Sequence, residues 1–138
     1  MKAVTHFTLS DTDFEIQFAN CSLDPELFIH EAHLRLAWIH ITKYGLNEAE
    51  KNICEQIKRF DKTFGIGMKF HVTLTIASVK MINHFIRKSE SDNFVDFMKE
   101  FPRLKSNFRE LISAHYSTDI FTDLYAKNKY LEPELKDF

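Results

Sequence analysis

His30 and His33 stand one helical turn apart in Phe28-Ile-His-Glu-Ala-His-Leu-Arg-Leu-Ala-Trp38, a stretch otherwise apolar enough to be a core. Each imidazole carries a donor and an acceptor that must be satisfied when buried. Two of them on one interior face therefore call for a bound partner, most simply a metal ion or a polar ligand. On a helix advancing about 100° per residue, Glu26, His30, His33 and Ala37 fall on one stripe. Two imidazoles so placed can ligate one ion, and Glu26 could add a carboxylate or orient a ring. Glu31 and Arg35 lie on another face, spaced i, i+4, and suit a surface ion pair.

A second constellation lies at His71, Thr75 and Ser78, which share one face of a strongly apolar segment. A third histidine meeting His30 and His33 would complete the three-ligand, open-position arrangement of a catalytic metal centre. Such ligation suits Zn, Fe, Ni or Cu, and spacing does not choose among them. Thr75 and Ser78 could hold a bound water or substrate, or could bond their own i−4 carbonyls. His115 and Tyr116 offer a further ligand or acid/base pair, or a helix-end cap. His6, His40 and His84 show no partner pattern and read as surface or packing residues. His-Glu-Ala-His is one residue short of the zincin motif, and no phosphate loop, dinucleotide fingerprint or nucleophile elbow occurs. Cys21 and Cys54 form no CxxC motif and read as small buried hydrophobes.

These residues need elements to position them. Asp24, Pro25 and Glu26 predict a helix start, with the helix running to Tyr44 and stopping at Gly45. Asn47 and Glu50 make a capping-box pattern for the next helix, which carries the stripe Ala49, Ile53, Ile57, Phe60 and Phe64. Residues 70–88 alternate at first, then shift to helical spacing at Val79, Ile82, Phe85 and Ile86, which predicts a buried helix. Ser10 to Phe18 suggests a helix, although Phe14 to Phe18 also alternates like a strand. Shorter helices are expected around 94–101 and 104–112, with a last helical stretch before the tail. Residues 1–10 and 130–138 read as extended or loosely ordered.

The chain has 138 residues, three Gly, three Pro and fourteen Phe, which favours a few helices packed through large rings over a many-stranded sheet. The expectation is one compact all-α domain of five or six helices over residues 1–138, with the 25–44 and 70–88 helices adjacent at its centre. A net charge of −2 with scattered Lys and Arg gives no footprint for nucleic acid or an anionic membrane. No apolar run of spanning length or signal-peptide pattern is present, so the cytoplasm with free thiols is the expected compartment.

The segments Phe28–Trp38, His71–Thr75 (His-x-Thr-Leu-Thr), His115–Ser117 and Glu132–Leu135 together resemble an uncharacterised family of small bacterial all-helical proteins. The resemblance covers most of the chain. It implies a helical domain and singles out His30, His33 and His71, but it brings no reaction. The family's second segment often has Glu after its histidine; Val72 stands there in this chain. If that Glu is catalytic, its loss would leave the fold without the activity.

Two functions follow as expectations. One is a small metal-dependent enzyme acting on a small molecule, with His30, His33 and His71 as ligands. The other is a non-catalytic ligand-binding or sensing module, in which the histidines hydrogen-bond a small polar molecule and the phenylalanines support a homodimer.

Overall fold

The computed structural model describes residues 4–138, and within them every regular element is helical. Eight α-helices occur: α1 (Asp11–Ala19), α2 (His30–Tyr44), α3 (Leu46–Phe64), α4 (Val72–Ile86), α5 (Phe94–Glu100), α6 (Arg103–Ser106), α7 (Phe108–Ser113) and α8 (Leu124–Asn128). The all-α expectation holds. The count exceeds five or six because the predicted 104–112 helix is two pieces, α6 and α7, interrupted at Asn107.

Helices α2, α3 and α4 pack mutually at the centre, with α1 against α2 and α3, and α7 and α8 against α4. One core unites them, from Phe14 and Phe18 through Leu34, Leu36 and Ile53 to Ile82, Phe97 and Ile112. Phenylalanine rings do much of the filling: Phe18 packs on Phe28 and Phe60 at 4.4 and 4.7 Å between centroids. No described helix is long and apolar enough to cross a membrane.

Local chemistry explains the boundaries. Ser10 caps α1 by accepting from the Asp13 N–H, which settles the strand-helix ambiguity there. Gly45 alone joins α2 to α3 at φ +86°, a left-handed value that favours glycine. The predicted capping box does not form, because α3 starts at Leu46 with Gly45 as its cap and Asn47 lies inside the helix.

Arg35 is the largest departure from expectation. It is 4% exposed rather than at the surface, and it does not pair with Glu31. Its guanidinium donates to the carbonyls of His6 (2.7 Å) and Leu9 (2.8 Å) and to Asp11 Oδ1 (2.9 and 3.1 Å). It also donates to His6 Nδ1, leaving His6 Nε2–H to donate to Glu31 at 2.9 Å. His6, expected to be unpartnered, is thus a buried link in a polar network that fastens the N-terminal segment to α2. His40 is buried too, with Nε2 unpartnered.

The tail is held in extended form. Thr73 Oγ1 donates to the Lys129 carbonyl and accepts from the Leu131 N–H, and Tyr116 donates to the Leu131 carbonyl. His115 Nδ1–H donates to the Lys136 carbonyl at 2.8 Å, and its ring stacks on Phe138 at 4.0 Å.

Candidate functional site

The predicted long helix over 25–44 is broken near its start. Asp24 accepts from the Glu26 N–H and opens a 3-10 turn, Pro25–Leu27. Phe28 and the extended Ile29 then interrupt the backbone, and α2 begins at His30. Glu26 is therefore exposed on the turn, off the histidine stripe, whereas His30 and His33 share the first turn of α2.

Helix α4 begins at Val72 because His71 caps it: His71 Nδ1 accepts from the Leu74 N–H at 3.0 Å. The preceding loop is folded back onto α3 by Asp61 Oδ2, which accepts from the N–H groups of Lys69 and Phe70 at 2.9 and 3.0 Å. These features bring His30, His33 and His71 to the wall of one open cavity of about 680 Å³. Its apolar wall includes Leu34, Ala37, Ile53, Leu74 and Ile82, with Phe70, Phe108 and Phe121 among its aromatic residues. Thr75 and Ser78 also line it, and both donate to i−4 carbonyls, of His71 (2.7 Å) and Leu74 (2.6 Å). Their hydroxyl oxygens are left as acceptors only.

The three histidines share the cavity but do not form a ligand set. Among the described residues, no three His, Cys, Asp or Glu side chains converge as a metal-binding group. His71 shows why. Its Nε2–H donates to the Ile120 carbonyl at 2.8 Å while Nδ1 serves the helix, so neither nitrogen has a lone pair free for a metal. His30 Nε2–H donates to the Leu104 carbonyl at 3.1 Å, and its ring meets Phe108 edge-on. His33 stacks on Phe28 at 3.8 Å. Protein mass around this ring, aided by the charge of His30, lowers its pKa to about 4, against the pull of the Phe28 backbone. His33 still reaches solvent through the cavity, so a neutral imidazole is presented to anything inside it. His115 and Tyr116 are not in the cavity wall; they bind the tail.

Sequence reasoning missed the cations. Lys69, Lys105 and Arg109 line the same cavity, and no Asp or Glu does. Lys105 is braced by Glu31 Oε2 at 3.3 Å, and the Arg109 guanidinium lies 4.1 Å from the Phe121 ring and 4.0 Å from Asp119 Oδ1. Both carboxylates belong to residues outside the cavity wall. The basic residues look scattered along the chain and meet only through the fold, so no local pattern could have marked them.

The fold and site define an all-α protein with a basic, acid-free cavity between its central helices. Comparison with family models, curated proteins and solved structures finds no match to this chain.

Proposed function

We propose that this protein is a binding module for a small amphipathic anion, held in the cavity between α2, α3, α4 and the α6–α7 segment. One observation carries this reading. A chain of net charge −2 lines its largest cavity with Lys69, Lys105, Arg109 and three histidines, and with no carboxylate. Low-dielectric walls bearing one sign of charge focus the field and concentrate ligands of the opposite sign. The volume is in the range of small-molecule sites, and the aliphatic wall suits an apolar body behind a carboxylate, sulfonate or phosphate.

This reading fits the residues better than a metal-dependent enzyme does. A three-histidine centre would require His71 to abandon both the first turn of α4 and the Ile120 carbonyl. Calorimetric titration with octanoate, octylammonium and octanol tests the proposal. Octanoate should bind most tightly, and K105A/R109A should weaken it about tenfold, since each exposed cation contributes about 0.5–1 kcal/mol. Equal binding of octylammonium, or no effect of the double substitution, would overturn it.

A further inference from the structure

The cavity continues beyond its basic lobe. A second hollow of about 290 Å³ is walled by Pro25, Phe28, Phe60, Phe64 and Asp61. It shares His33, Ile57, Lys69 and Phe70 with the larger lobe, so the two meet across these four side chains. Lys105 and Arg109 line only the larger lobe, and four phenylalanine rings line the smaller one. Asp61, the sole acidic residue of its wall, is already engaged by the Lys69 and Phe70 N–H groups. Charge thus lies at one end and aromatic surface at the other.

From this polarity we infer that the ligand is an elongated amphipathic acid. Its anionic head lies by Lys105 and Arg109, and its tail passes His33 and Phe70 into the phenylalanine lobe. The inference rests on the anion-binding reading and adds the shape and direction of the ligand. A compact anion would leave the aromatic lobe unused, whereas a chain or linked-ring tail would bury both lobes. The flat stack of His33 on Phe28 supplies a neutral side wall at the junction, where a charged imidazole would disfavour an apolar tail.

Calorimetric titration with linear carboxylates of increasing length tests the idea in the full chain. Each methylene that enters an apolar lobe should tighten binding up to about fourfold. Dodecanoate should therefore exceed octanoate by at least about tenfold, even with partial burial. Phe64, 45% exposed at the end of α3, gives access to the second lobe with little risk to the core. F64W should reduce the dodecanoate-to-octanoate ratio to below about threefold, whereas F64A should preserve a ratio above it. A protein that binds octanoate but gains nothing from the longer chain refutes the two-lobe ligand and leaves the anion site standing. A ratio unmoved by F64W also refutes it. Failure to bind either carboxylate overturns both readings.

Discussion

Replacing His71 separates a structural role from a metal-binding one. In H71A two bonds disappear: the helix cap from the Leu74 N–H at 3.0 Å and the donation to the Ile120 carbonyl at 2.8 Å. A lost N-cap costs about 1 kcal/mol, and a lost neutral hydrogen bond about 1 kcal/mol more. The expected destabilisation is therefore about 2 kcal/mol, or about 6–8 °C in Tm for a domain of this size. H71N restores a good capping oxygen but not the reach to Ile120, and should recover about half of that loss. Urea and thermal melts of the three proteins, each with excess zinc and with chelator, provide the assay. Both substitutions should give the same shifts in either condition. If His71 ligated a metal, saturating metal at a hundred times Kd would stabilise the wild type by about 2.7 kcal/mol, and both variants would lose that increment. A zinc-dependent stabilisation abolished equally by H71A and H71N would refute the capping account.

Three other outcomes are expected. The folded chain protonates His33 only near pH 4, whereas the unfolded chain does so near 6.5, so stability present above pH 6.5 is lost progressively as pH falls toward 4. The urea midpoint of H33Q should fall less over that interval than that of the wild type, and identical profiles would contradict the assignment. R35M removes the donor to His6, Leu9 and Asp11, and should cost about 3 kcal/mol because the partners lose a charged group they were built around. Rapid proteolysis within residues 5–10 should accompany the loss, and a wild-type digestion pattern would count against it. The Cys54 thiol is pushed up to about 11 by burial and by Glu50 and Glu55, so in C21S the remaining thiol should react with iodoacetamide far more slowly at pH 8 than free cysteine does.

Much of the helical framework was legible because apolar spacing is a local signal. The stripe from Ala49 to Phe64 lies on α3, and the shift in period after Ile76 marked α4. Capping chemistry misled where two caps competed. Asp24 and Pro25 do start a turn, but it is a 3-10 turn that ends before His30, and this removed Glu26 from the histidine stripe. The pairing of Arg35 was not legible, since a charged residue on a helix reads as surface until Asp11 and two carbonyls arrive from another segment. The same holds for the cavity. Its histidines stood out by type, but its cations come from residues 69, 105 and 109, whose meeting is a property of the tertiary fold.

The bonds that hold the tail also govern the timing of opening. Thr73 reaches Lys129 and Leu131 across 56 and 58 residues of chain, and His115 reaches Lys136 across 21. Closing such loops before α4 and α7 have assembled would cost entropy with little return, so these contacts belong late in folding. Contacts made after the rate-limiting step slow unfolding and leave the folding rate nearly unchanged. Thr73 sits two residues beyond His71, in the turn of α4 that completes the cavity wall. The last ten residues therefore act as a brake: they set how long the closed wall persists rather than how quickly it forms.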